Sequence, residues 1–246
     1  MKMLNSLRNR IGAAAFAVGA LAPVGIVRGE TPVRVTQADV EWSNQKVADA
    51  YSALVDMWTK DFKLIGKRFD APRLVRYTGS VRTACGMMQP QNAQYCLAAN
   101  AIYYDETFVA GMAKITADQL HTDGDMASIG IIAHETGHAV AFQLGHHPRD
   151  SYKNESTADC LSGAFTNQAN RDNTLEDGDM EEALLGVEMA GDPAPPPPTG
   201  DSRWDAMVSK QIARQSHGTK EQRVQNFQNG VRGGPAACLD EFKSLR

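Results

Sequence analysis

The stretch 127–144 places two opposing demands on any fold. Ile129, Ile131, Ile132, Ala133, Ala139, Val140, Ala141 and Leu144 are spread round nearly the whole circumference of a helix, and a helix that is apolar all round is normally buried. Yet His134, Glu135 and His138 stand in its middle. Polar and ionised side chains are costly to bury without partners. Gly145 follows as a C-terminal stop.

Helical geometry resolves the conflict. Each residue advances about 100°, so positions four apart lie about 40° from one another, one turn along. His134 and His138 therefore project together, and both imidazoles reach one tetrahedral Zn²⁺. Glu135 lies about 60° round from His138. It flanks the metal, within reach of a bound water as a base. One divalent cation satisfies all three groups. His-Glu-Thr-Gly-His fits the HExxH pattern, but that pattern fixes only three positions and occurs by chance. Gly137 costs about 1 kcal/mol against Ala in mid-helix. Its presence suggests that something passes close across that face.

A third ligand strengthens the pattern. Glu155 and Asp159 are four apart on the next expected helix and share a face. Glu155 as ligand gives a His₂Glu site with an open fourth position. Asp159 then accepts a hydrogen bond from the far nitrogen of a ligand histidine, fixing its tautomer. The competing reading is a pair of acids favoured by a helix N-terminus. No other acidic pair follows the histidines so closely. His146 and His147 read as surface residues at a helix end, and His121 as a loop residue.

Elsewhere, periodicity predicts an amphipathic helix over 38–65, with Val40, Val47, Ala50, Tyr51, Leu54 and Trp58 at helical spacing. Strands are expected at 73–82 and at Ala101–Tyr104, and helices at 107–120 and from Asn154 to Phe165. Asp179-Met180-Glu181-Glu182 and Thr219-Lys220-Glu221-Gln222 both match a capping box. They open helices to about Ala190 and about Phe227. Pro195 to Pro198 mark 193–202 as an extended surface loop. The fold class is α+β, mainly helical, with a small β-sheet and the histidine-bearing helix, as one domain over 30–246. With 42% hydrophobic residues the chain can build such a core. A net charge of −4 without a basic block argues against nucleic acid as a partner.

The first 29 residues read as a signal peptide. Lys2, Arg8 and Arg10 precede an apolar run from Ile11 to Val27, broken by Pro23. That run is short for a membrane span, which needs about 20 apolar residues. Export to a periplasm or the exterior is expected, with a retained membrane anchor as the alternative. Cys85, Cys96, Cys160 and Cys238 fit an oxidising destination and contain no CxxC pair. Of three possible pairings, Cys85–Cys96 and Cys160–Cys238 are favoured, the first by proximity; four buried thiols are the reading for a cytosolic chain.

Several ordered blocks resemble the bacterial neutral zinc metallopeptidases of the YpfJ-like family. They are Cys85-Gly86 with Tyr95-Cys96, Ile102-Tyr103-Tyr104-Asp105 and Ile132 to His138. They continue with Glu155 to Cys160, Gly178 to Ala183, Ser216-His217-Gly218-Thr219 and Gln222-Arg223-Val224. The resemblance implies a zincin-like fold with one Zn²⁺ held by His134, His138 and Glu155, and Glu135 as general base. It also implies that an extended peptide or protein substrate lies beside an edge strand formed by Asn100, Ala101, Ile102 and Tyr103. His217 is implied as a stabiliser of the oxyanion. The chain departs from the family at 91–95 and in the long approach to His217. Two rival functions remain: a non-catalytic envelope protein stabilised by zinc, and a zinc amidase acting on cell-wall peptides. Oligomeric state has no signature in the sequence.

Overall fold

Thr36 starts the first helix through a capping box with Asp39, and from there eight α-helices and five short strands follow in this computed structural model. It describes residues 33–245 apart from 149, 194–195 and 216. The expected signal peptide lies outside the described residues. The order is α1 (Gln37–Leu64), β1 (Arg73–Tyr77), β2 (Val81–Thr83), β3 (Gly86–Met88), β4 (Ala93–Cys96), β5 (Ala101–Asp105), α2 (Glu106–Leu120), α3 (Asp125–Gln143), α4 (Ser151–Arg171), α5 (Asp179–Met189), α6 (Ser202–Gln215), α7 (Lys220–Gly233) and α8 (Pro235–Cys238). This is a mainly helical α+β, zincin-like architecture. No helix among the described residues is long and apolar enough to cross a membrane.

The core gathers round α3. Ile132, Ala133, Ala139 and Val140 are at most 2% exposed, as expected of a helix apolar on every side. On one flank α1 contributes Val47, Leu54, Trp58 and Phe62. Trp58 and Phe62 meet Phe242 from the C-terminal end, at ring centroid distances of 5.7 and 6.1 Å. Burying each such side chain contributes about 1.5–3 kcal/mol. The C-terminus is thus fastened to the first helix.

The sheet is small. β5 runs parallel to β1 and antiparallel to β4, in the order β1-β5-β4. β5 is therefore the central strand, and the expectation that Asn100–Tyr103 forms an edge is corrected. Its two sides are taken by Arg73–Tyr77 and by Ala93–Cys96, while Asn100 precedes the strand in a left-handed conformation with φ 40°. The free edge nearest α3 belongs to β4. The strand expected at 73–82 also divides: β1 ends at Tyr77, and β2 pairs with β3 in a separate hairpin.

Two disulfides form. Cys85–Cys96 joins the β2–β3 hairpin to the end of β4, and Cys160–Cys238 joins α4 to α8. They fit an oxidising compartment.

Four helices depart from expectation. α4 and α7 run further than their patterns suggest, and α6 forms in the approach to His217, where no helix is expected. α5 begins without a capping box. Gly178 is its N-cap, and no side chain caps it, because the Glu182 carboxylate is drawn to Gly124 and Met126 N–H at the start of α3. The Thr219–Gln222 box does form.

α4 and α7 pack backbone to backbone. A Cβ on Gly230 would stand 1.8 Å from Cys160 O, a separation no side chain tolerates. Gly230→Ala should cost about 3 kcal/mol or more, the upper range for overpacking. Denaturant unfolding measures this, and an unchanged midpoint would refute the close crossing.

Candidate metal centre

α3 and α4 cross at Gly137. A Cβ there would sit 2.9 Å from Ala158 O and 3.0 Å from Ala158 Cα, so the absence of a side chain sets how near α4 comes. Glu155 and Asp159 flank Ala158 on α4, and the crossing carries both carboxylates to the histidines.

Three donor atoms converge. His134 Nε2 lies 3.0 Å from Glu155 Oε2 and 3.1 Å from His138 Nε2, and the third side, His138 Nε2 to Glu155 Oε2, is 3.6 Å. A tetrahedral zinc with donors at 2.0–2.1 Å would space its ligand atoms about 3.3 Å apart. The observed triangle brackets that value, and two imidazoles with one carboxylate is a donor set suited to zinc. The rings of His134 and His138 stand edge to face, 4.7 Å apart. All three side chains are 12–14% exposed, so the cluster is largely buried yet still reaches solvent.

Behind the triangle lies a buried polar chain. His134 Nδ1 is 2.9 Å from Asp159 Oδ1, which fixes the ring so that Nε2 faces the other donors. Asp159, 1% exposed, receives Arg223 through Nε at 3.1 Å and Nη2 at 2.6 Å. Arg223 Nη1 also donates to Ala190 O at the end of α5. Burial raises the Asp159 pKa, but His134 and Arg223 outweigh it and hold the carboxyl below its usual range. The sequence names Arg223 only within the Gln222-Arg223-Val224 block and assigns it no role. Its signal was an arginine sharing a helical face with Phe227 and Gly230, all three buried.

Glu135 stands apart from this chain. It is 8% exposed, and its Oε2 accepts the Tyr95 backbone N–H at 2.6 Å. An oxygen of Glu135 lies within 4.8 Å of the ring nitrogens of His134 and His138, further out than Glu155. Tyr95 belongs to β4, and because Asn92 O and Asp105 N bond across to β5, alternation turns the Tyr95 N–H outward. The edge strand thus touches the glutamate directly, a contact that short strands hide from sequence reading.

His217 sits in the turn before α7. Its backbone N–H donates to Asp192 Oδ2 at 2.6 Å, and its Nδ1 lies 3.6 Å from Asp192 Oδ1. Among the described residues no hydrogen bond or ion pair joins it to His134, His138 or Glu155. His146 pairs with Glu241 at 2.9 Å, away from the triangle, and His121 caps the end of α2.

The chain matches, over residues 27–242, the family described as "Putative neutral zinc metallopeptidase", and it belongs to that family. It is 32% identical to "Uncharacterized protein YpfJ" of Escherichia coli strain K12 and to the protein of the same description from Escherichia coli O6:H1. Each alignment covers 90% of this chain and 81% of the relative. No solved structure matches.

Two outcomes test the geometry. Arg223→Met should weaken zinc binding about 10–100-fold, the usual effect of losing a group that orients a ligand; chelator competition measures it. Arg223→Lys should restore only part, since an ammonium lacks the fork that grips Asp159. Wild-type affinity in Arg223→Met would contradict the arrangement.

The second concerns pH. Burial opposes the His134 imidazolium, yet Asp159 and Glu155 outweigh it and raise its pKa from 6.5 to about 10. Glu155 is likewise buried, but the two histidines drive it far below 4.5. The raised histidine stabilises the chelator-treated protein fully below pH 6.5, and that contribution is lost as pH rises through about 10. The depressed glutamate stabilises it above pH 4.5 and is lost in acid. The melting temperature of chelator-treated protein should therefore fall between pH 6.5 and 10. Zinc-loaded protein should lack this fall, because zinc requires neutral imidazoles. A flat profile after chelation would count against the charge pairing.

Proposed function

We propose that the chain is an exported zinc-dependent endopeptidase. One observation carries the reading: Glu135 lies beside the donor triangle without being part of it, and an edge strand holds it by a backbone N–H. The Tyr95 N–H ties Glu135 to β4, but a structural metal site needs no carboxylate beside its ligands, which weighs against the non-catalytic envelope protein. The open edge of β4 suits an extended polypeptide, which adds to a sheet through backbone hydrogen bonds. That favours a peptidase over an amidase restricted to cell-wall peptides.

In this reading His134, His138 and Glu155 hold one zinc. Zinc, when bound, supplies Lewis-acid polarisation of a carbonyl and acidifies water. Glu135 takes a proton from the attacking water and delivers it to the leaving nitrogen as the peptide C–N bond breaks and the new C–O bond forms. Asp159 keeps the proton of His134 on Nδ1, leaving Nε2 as a donor to the metal. Arg223 neutralises Asp159 and prevents it from turning away. His217, oriented by Asp192, donates a hydrogen bond to the carbonyl oxygen as negative charge develops there. Ala93 and the Tyr95 carbonyl, rather than Asn100–Tyr103, pair with the substrate backbone, while the Tyr95 N–H stays on Glu135. The two disulfides support export to an oxidising compartment.

Glu135→Gln separates the roles. The variant should retain zinc, because Glu135 is outside the triangle, while hydrolysis of an unstructured protein such as casein falls at least about 10²-fold, the lower bound for losing a general base. Wild-type cleavage in that variant would sink the proposal.

A further inference from the structure

A second acidic group lies at the other end of α3. Asp123, Asp125, Asp179 and Glu182 each place a carboxylate oxygen within 4.8 Å of the others. Asp123 precedes α3, Asp125 is its first residue, and Asp179 and Glu182 belong to the first turn of α5. Asp125, Asp179 and Glu182 are 7%, 5% and 0% exposed. Nine residues separate Asp125 from His134, about 14 Å along a helix axis. The proposed hydrolysis uses none of these groups.

Their partners account for only part of the charge. Glu182 accepts Gly124 and Met126 N–H, each at 3.0 Å, and Asp179 Oδ2 accepts Glu176 N–H at 2.7 Å. Lys46 Nζ lies 2.7 Å from Asp125 Oδ2 and 3.2 Å from Asp123 Oδ2. One ammonium faces four carboxylates. Two helix N-termini add partial positive charge, and Glu182 uses it in capping α3. Asp179 shows the residual repulsion: burial, with Asp125, Glu182 and Asp123 nearby, pushes its pKa up to about 6 despite the Glu176 N–H.

An independent observation points to a ligand. Asp125 Oδ1 is buried and has no hydrogen-bond partner, although the opposite oxygen holds Lys46. Thr122 Oγ1 is buried without a partner as well, and Thr122 packs against Gly178, immediately before Asp179. Buried polar atoms in folded proteins are rarely left unmatched. A hydrogen-bond donor cannot come from the neighbouring carboxylates, which are acceptors when ionised. A cation satisfies the orphan oxygen and the surplus charge together.

The donor chemistry selects which cation. Every candidate ligand is oxygen, with no imidazole or thiolate, so the site suits a hard ion and not zinc. Carboxylates from two helices and a loop fit the irregular, high-coordination shell of Ca²⁺ better than the strict octahedron of Mg²⁺. We propose that Asp123, Asp125 and Asp179 bind Ca²⁺, tying the start of α3 to the start of α5, with Glu182 kept as the cap of α3. Lys46 is the competing cation and turns outward when calcium enters. The site is structural, and it stands whether or not the chain proves to be a peptidase.

The test uses zinc-loaded full-length protein and Tb³⁺ as the calcium probe. Trp42 lies with its ring centroid 5.4 Å from Lys46 Nζ, close enough to sensitise terbium emission under tryptophan excitation. Saturable emission displaced by Ca²⁺ is expected, with a Ca²⁺-induced rise in melting temperature. Asp179→Asn should weaken Ca²⁺ at least tenfold, since its amide oxygen can still accept the Glu176 N–H but the charge is gone. Lys46→Gln should tighten Ca²⁺ by removing the rival cation. Circular dichroism confirms that each variant is folded. The proposal is overturned if wild-type protein shows neither displaceable emission nor a melting shift at about 10 mM Ca²⁺, above the range of weak calcium modules. Unchanged Ca²⁺ affinity in folded Asp179→Asn overturns it equally.

Discussion

The separation of α3 and α4 at Gly137 governs the rest of the molecule. Glu155, His134 and His138 have side chains of fixed reach, and their donor atoms meet only if the two backbones are close. Ala158, beneath Gly137, brings the helices into contact without a side chain between them. The same device recurs where Gly230 of α7 meets Cys160 of α4. It brings Arg223 against Asp159. Small residues at the crossings thus set the positions of large charged ones. Buried charges depend on such precision, because removing one member leaves the other uncompensated.

The polar chain gives the centre its rigidity. His134 cannot rotate without breaking its contact to Asp159, and Asp159 cannot move without leaving Arg223. Arg223 in turn reaches the carbonyl that ends α5. Three helices beyond α3 are therefore fastened to one imidazole. Glu135 is held differently, by the backbone of β4. The sheet, small as it is, supplies the one fixed point on that side.

Much of this was legible in the sequence, and the reasons for the gaps are physical. α3 was plain because apolar residues surround its three polar ones, and i,i+4 spacing placed the histidines and the Glu155–Asp159 pair on shared faces. Mid-helix Gly137 correctly signalled a close neighbour. β4 escaped notice because four residues, Ala93 to Cys96, carry no alternation long enough to read. With β4 unseen, β5 looked like an edge. α6 was hidden because its sequence is polar and follows a run of prolines; Trp204 and Met207 remain about half exposed on it. The Asp179 capping box failed because a tertiary partner, the N-terminus of α3, competed for Glu182. Arg223 looked like an ordinary helix residue until its partner 64 positions earlier came into view.

The Cys160–Cys238 bond encloses everything from α4 to α8, including the exposed prolines at 196–198 and the exposed start of α6. Such a stretch is where a protease would most easily cut. A single cut there would not release the C-terminal part. The sulfur bridge would leave a two-chain molecule, with Arg223 on one polypeptide and the histidines on the other. In an environment crowded with degradative enzymes, that covalent ring allows the molecule to be nicked and still remain one piece.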